Sequence, residues 1–280
     1  MLSQLFSYVG PGTFAVLDPR GPVGLDERNL MLTALVLMLG VLIPVFMLTA
    51  AIAWRYRAGN TKARYTPNWE HNALDEFIWW AIPCAIIFVL ALITWKSTHD
   101  LDPYRPLRPG MESMPIQVVA LDWKWLFIYP NEGIATVNFV EFPEDTAIDF
   151  EITADAPMNS FWIPQLGGQI YAMPAMTTHL NLMASGTGSY FGTSANISGE
   201  GFSGMTFTAK SVSEEEFERW VESVRAGTST LTREAYDALA KPSAYEPVAT
   251  FSAVEDGLYN TIIGKYLAPP ASSSGTARTH

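Results

Sequence analysis

Two stretches without a charged side chain, positions 29–54 and 77–95, limit this chain more than any other feature of it. A helix rises about 1.5 Å per residue, so ~20 apolar residues reach across a hydrocarbon core of roughly 30 Å, and both stretches fall in that range. The expected element is a transmembrane helical hairpin over 26–100. Elsewhere the composition mainly excludes. A net charge of -11 argues against nucleic acid as a partner, because neutralising phosphates needs a basic face. Cys84 is the only cysteine and lies inside the second stretch, so no disulfide framework and no thiolate site can form outside the membrane. Its simplest reading is a small buried hydrophobe.

The loop at 55–76 carries Arg55, Arg57, Lys62 and Arg64 beside the first span, with Glu70, Asp75 and Glu76 nearer the second. Lys and Arg close to a span mark the cytoplasmic side, and acids count little. The loop is therefore expected inside, with both termini and the acidic region beyond Asp100 outside. Trp54, Tyr56, Trp79, Trp80 and Trp95 fall near the ends of the spans, where interfacial rings settle. Pro44 and Pro83 lie within them, as membrane helices allow. Residues 1–25 form an exported N-terminal segment without a basic n-region, broken at Gly10, Pro11 and Gly12. Three explanations stay open: a signal already removed, a start further upstream, or unaided crossing of a short tail.

After a neck containing Pro103, Pro106, Pro109 and Pro115, short runs rich in β-branched and aromatic residues follow at 116–129, 134–140, 147–153, 177–183, 189–193 and 205–209. Pro, Gly, Asn and Asp separate them. Ile148, Phe150 and Ile152 oppose Ala147, Asp149 and Glu151, the alternation of a half-buried strand. This pattern predicts a β-sandwich or small barrel over 113–210. Beyond it the period changes to that of helices. Ser213 is placed to cap a helix opening with Glu214, Glu215 and Glu216, and carrying Phe217, Trp220, Val221 and Val224 on one face. Tyr259, Ile262, Ile263, Tyr266 and Leu267 repeat that spacing. The resulting arm, 211–267, has an apolar stripe to bury, either on its own sandwich or on a partner subunit. The tail at 268–280 has the composition of a disordered segment.

Several stretches, in this order and spacing, resemble subunit II of the haem-copper respiratory oxidases, in the bo-type ubiquinol oxidase branch. They are Leu17-Asp18-Pro19, positions 69–83, Asp122-Trp123-Lys124-Trp125 with Tyr129-Pro130, Met158-Asn159-Ser160-Phe161, and positions 199–205. The resemblance runs from about 17 to 267 and implies an all-β cupredoxin-like sandwich followed by a C-terminal helical arm. In relatives that oxidise cytochrome c, such a domain holds a binuclear copper centre, with ligands spaced Cys-x3-Cys-x3-His-x2-Met and another His upstream. Here the spacing persists and the ligands do not. Ser194, Ser198 and Phe202 stand at the Cys, Cys and His positions, Met205 remains, and Asn159 replaces the upstream His. A serine hydroxyl cannot replace a bridging thiolate, and Phe202 donates nothing. Even without the family, the external region lacks the Cys that a blue-copper centre needs. Met205 then reads as a core side chain, and His71, His99 and His179 as interfacial or hydrogen-bonded residues.

The resemblance implies a subunit II without metal of its own, in a proton-pumping complex that oxidises ubiquinol and reduces oxygen to water. Haems and the oxygen-site copper belong to a partner, subunit I, with further membrane subunits and the lipid bilayer around them. The implied location is a bacterial inner membrane with the large domain periplasmic. Glu76 matches a family carboxylate at the mouth of a proton path into subunit I, although a headgroup position is the plainer alternative. Trp123 and Trp125 match an aromatic stretch that carries electrons where copper is present; here they are expected to pack under the sandwich or at a partner interface. Gly12 stands where many quinol oxidase relatives carry a lipidated Cys. Two other readings remain: a copper electron carrier oxidising cytochrome c, which the missing thiolates disfavour, and a non-enzymatic assembly scaffold.

Overall fold

The computed structural model describes residues 15–64, 66, 71–107, 110 and 112–267. Positions 1–14 with Gly12, the tail at 268–280 with His280, and Trp69, Glu70 and Pro109 lie outside these. The chain divides into two compact units, Asp26–Asp102 and the remainder.

The first unit is a pair of helices, α1 (Pro22–Arg55) and α2 (Ala73–Asp100). Pro22 opens α1 at a position where a missing N–H costs nothing. Asn72 starts α2 by accepting from the Leu74 N–H at 3.1 Å, and Asp75 and Glu76 follow in the first turn, where the helix dipole favours acids. Both helices are long and apolar enough to cross a membrane, and they run through Pro44 and Pro83. Val36, Phe46 and Phe88 stand exposed along them, as side chains with lipid for solvent do. Cys84 is also exposed, which corrects the expectation of burial; α2 has too few neighbours within the chain to cover it.

The first turn of α1, up to Leu25, belongs to the other unit. Arg20 N–H donates to the Gln165 carbonyl at 2.7 Å, Gly24 N–H to that of Leu166 at 2.9 Å, and Ser185 N–H to that of Arg20 at 2.8 Å. Amides in a helix's first turn have no intrahelical acceptor, and the loop at 165–166 supplies one. The approach requires glycine: a Cβ on Gly21 would lie 2.1 Å from the Met183 carbonyl oxygen.

Ten strands form two facing sheets: β1 (Met114–Leu121), β2 (Lys124–Tyr129), β3 (Ile134–Val137), β4 (Phe139–Pro143), β5 (Ile148–Ala154), β6 (Asn159–Trp162), β7 (Ile170–Ala172), β8 (Thr178–Leu182), β9 (Gly188–Ser194) and β10 (Thr206–Val212). One sheet runs β3-β2-β1-β5-β8 and the other β4-β10-β9-β6-β7. The core between them is aromatic. Phe161 and Phe207 stack at 5.0 Å, and Trp125 meets both edge-on at 5.3 and 5.8 Å. Two expected strands prove to be pairs. The run 116–129 folds into an antiparallel hairpin at Asp122-Trp123, with Leu121 opposite Lys124 and Trp123 at φ 62. The run 134–140 breaks at Asn138, φ 55, where the chain passes from one sheet to the other. Asn138 holds that crossing by accepting from the Trp125 N–H at 2.8 Å.

The arm adds α3 (Glu214–Arg225), β11 (Thr230–Leu231), α4 (Arg233–Leu239), β12 (Ala249–Phe251), β13 (Ala253–Val254) and α5 (Leu258–Leu267). Ser213 caps α3 by accepting from the Glu216 N–H at 3.3 Å. Phe217, Val221 and Val224 join the aromatic core, and Trp220 meets Tyr129 at 5.5 Å. Strand β12 extends the first sheet beyond β3. Leu231, Tyr236, Leu258, Tyr259 and Ile262 cover the outer face of that sheet, packing on Val119, Leu121, Leu126, Ile128, Ala135 and Val137. Most of the arm's stripe is therefore buried on its own chain, while Tyr266 and Leu267 at its end stay exposed.

Two buried charges fasten this cover. Lys124, 1% exposed, donates from Nζ to the Leu239 and Lys241 carbonyls at 2.9 Å each and to Ser243 Oγ. Burial lowers its pKa, while Glu246 and Asp122 pull the other way. Asp155 receives Lys265 Nζ at 2.8 and 2.9 Å, Tyr236 OH at 2.7 Å, and Tyr266 OH. Burial, then the hydrogen bond to Asp155, raises the pKa of both phenols, so they remain donors. Lys124→Met should cost about 1–3 kcal/mol by leaving two part-buried carbonyls without their donor, seen as faster hydrogen exchange across 239–246. Gly21→Val should destabilise by a similar ~1–3 kcal/mol through overpacking. Gly40→Ala, inside α1 with nothing within 4 Å of the added methyl, should not lower the melting temperature.

Candidate functional site

Strands β9 and β10 are joined by the loop at 195–205, which passes over the start of β6. This brings Ser194, at the end of β9, against Asn159, at the start of β6; they are 2% and 1% exposed. Ser194 Oγ donates to Asn159 Oδ1 at 3.0 Å and lies 3.2 Å from the Asn196 carbonyl. Asn159 Nδ2 donates to the Pro157 carbonyl at 2.7 Å, and Asn196 Nδ2 to that of Met158 at 2.9 Å. Met205 is fully buried in the core, and its carbonyl accepts from the Ser194 N–H at 3.3 Å. Phe202 opens the 3-10 turn Phe202–Gly204, its carbonyl accepting from the Met205 N–H at 3.0 Å. Ser198 Oγ is buried without a partner among the described residues.

Trp123 lies on this loop. Its Nε1–H donates to the Ser198 carbonyl at 3.2 Å, and a Cβ on Gly201 would come within 2.3 Å of its ring. The positive φ at the hairpin turn directs Trp123 here, while Trp125 enters the core. Trp125 is 0% exposed and encircled by Phe161 and Phe207, so its own chain consumes the surface a partner would need. Of the two places expected for it, Trp125 takes the one within the sandwich; Trp123 is half-buried.

These residues do not fit a soft metal. The hydroxyl of Ser194 is committed to an amide oxygen, Phe202 has no donor atom, and Met205 is a lone thioether. The described residues contain no group of three or more His, Cys, Asp or Glu placed to hold a metal. The network is a polar fastening for a loop, complete except at Ser198.

Glu76 occupies the first turn of α2 with its side chain 43% exposed. His71 Nδ1 lies 3.1 Å from Glu76 Oε1, a pairing that the sequence did not reveal because residues five apart straddle the helix start. Asn72 Nδ2 donates to the neighbouring Asp75 at 2.7 Å. In the other unit, His179 pairs with Asp149 at 3.1 Å and packs beside Tyr104.

Residues 133–212 match the family model for the cytochrome c oxidase subunit II periplasmic domain, and residues 225–269 that for the COX aromatic rich motif. The cytochrome bo(3) ubiquinol oxidase subunit 2 of Pseudomonas aeruginosa is 51% identical over 92% of this chain and 78% of its own length. The ubiquinol oxidase subunit 2 of Acetobacter aceti is 51% identical over 90% of this chain and 82% of its own. Among solved structures, the periplasmic domain of cytochrome oxidase subunit II from Bradyrhizobium japonicum aligns with 41% of this chain and 94% of that one, at 22% identity and a TM-score of 0.39. Ser194→Ala should cost about 1–3 kcal/mol by stranding the buried Asn159 oxygen. A thermal melt with unchanged midpoint would show that this hydrogen bond does not hold the loop.

Proposed function

Because the chain belongs to the ubiquinol oxidase subunit 2 family, we propose that it serves a proton-pumping ubiquinol oxidase as a subunit II without the binuclear copper centre. The observation that carries this reading is the Ser194 to Asn159 hydrogen bond, which fills the place of two ligand positions with a hydroxyl and an amide already satisfied by one another. A lipid-soluble quinol delivers electrons within the membrane, so no relay through the sandwich is needed. Haems and the oxygen-site copper then reside in subunit I, and electrons bypass this chain. Its contribution is a hairpin and a rigid domain that support subunit I, with Trp123 as the aromatic at that interface.

The two candidate membrane helices and the match to a periplasmic domain fit the inner membrane. On this reading the loop at 55–76 is cytoplasmic, both termini are periplasmic, and Glu76 sits at the inner face. There it collects protons from loop water and passes them toward subunit I. Its half-exposed carboxylate, 3.1 Å from His71, is open to loop water as that task requires. Glu76→Gln in the intact complex should slow ubiquinol-driven oxygen consumption by about tenfold or more, in the range typical of losing a proton-transfer group, with haem content unchanged. Undiminished turnover would return Glu76 to a headgroup role. Purified complex that consumes oxygen with reduced cytochrome c but not with ubiquinol would overturn the assignment itself.

A further inference from the structure

Two acids open α2, and the structure gives them different partners. Asp75 Oδ2 accepts from Asn72 Nδ2 at 2.7 Å, whereas Glu76 Oε1 lies 3.1 Å from His71 Nδ1. The difference is chemical. An amide N–H holds a carboxylate without releasing its proton, while an imidazole can lose a proton at one nitrogen and gain one at the other. Because an ionised carboxylate only accepts, this contact requires the His71 proton on Nδ1 and leaves Nε2 on the far side of the ring. The side chain of His71 is 84% exposed against 43% for Glu76, so the imidazole stands on the water side of the pair. Asn72, not His71, caps the helix by accepting from the Leu74 N–H, and the Glu76 N–H donates to the Asn72 carbonyl at 2.9 Å. The helix start therefore does not depend on the imidazole.

From this geometry we infer that His71 is the proton relay that feeds Glu76. Water protonates the ring at Nε2; the Nδ1–H bond then breaks as an O–H bond forms at Glu76 Oε1, leaving a neutral imidazole and a carboxylic acid. Glu76 passes that proton toward subunit I and returns to the carboxylate, and the exposed ring regains its first tautomer by exchange with water. No electron moves. Among the described residues no other ionisable side chain bonds to either member of the pair: Asp75 is held by Asn72, and the loop's Lys62 and Arg64 precede the pair in sequence. The relay rests on Glu76 being the proton entry proposed above, and it adds to that reading the group that catches protons before the carboxylate does.

Ubiquinol-driven oxygen consumption of the intact complex is measured for wild type, Glu76→Gln, His71→Gln and His71→Ala from about pH 6 to about pH 8, where an imidazole changes charge. Haem content and melting temperature serve as controls. An exposed pair of this kind contributes little to stability, so both His71 variants should melt as wild type does. His71→Gln keeps a hydrogen-bond donor beside Glu76 but cannot relay a proton. Both His71 variants should turn over roughly threefold more slowly, less than the ~100-fold typical of an indispensable proton-transfer group, because water still reaches Glu76 directly. The deficit should widen toward the alkaline end, where fewer protons arrive unaided. Imidazole added to the buffer should restore His71→Ala and leave Glu76→Gln slow, with wild type as the control for any effect on the haems. A slow Glu76→Gln beside an undiminished His71→Gln, or beside a His71→Ala that imidazole does not accelerate, overturns the relay alone. Wild-type turnover in Glu76→Gln removes the proton-entry reading, and the relay with it.

Discussion

A sheet that is apolar on both faces must be covered twice. Val119, Leu121, Leu126 and Ile128 alternate with the inward residues Val118, Ala120, Trp125 and Phe127, so neither face of β1 and β2 can meet water. The second sheet covers one face and the arm the other. Most of the molecule's architecture follows from this need. It makes the arm an integral part of the domain, and it places Lys124 and Asp155 where they can bond to the arm and to little else. At a general coefficient near 25 cal/mol per Å² of buried apolar area, such a cover is a major source of stability, and the two charged clasps fix its register.

The same need explains what the sequence disclosed and what it hid. The membrane helices were legible because absence of charge is a one-dimensional property, and α3 because Ser213 and three glutamates announce its start. The hairpin at Asp122-Trp123 was hidden: with both faces buried, positions 116–129 form a largely apolar run, interrupted only by Gln117, Asp122 and Lys124, in which no alternation marks the turn. The crossing at Asn138 rests on a positive φ, which a lone asparagine does not declare. Strands β6 and β7 are too short for any period to show. Lys124 stood in that apolar run as a charge without an evident partner, and this was the signal, unexploited, that another segment had to reach it.

At the candidate site the sequence supplied residue identities, and the resemblance supplied their proximity. Nothing in the spacing of Asn159 and Ser194 says that they touch; the sheet order β9-β6 brings them together. Once adjacent, they compose a small polar network that ties the loop at 195–205 to the start of β6. On the proposed reading it stands where a thiolate and imidazole set would carry electrons. The pairing of His71 with Glu76 arose in the same way, from a helix cap whose geometry lies outside any periodic pattern.

The central claim is that reducing equivalents do not pass through this chain. Electron paramagnetic resonance of the oxidised, intact complex, recorded on the preparation whose ubiquinol-driven oxygen consumption has been measured, addresses it most directly. The account predicts active enzyme with haem signals and no mixed-valence dicopper signal. A mixed-valence dicopper spectrum from that preparation would contradict it.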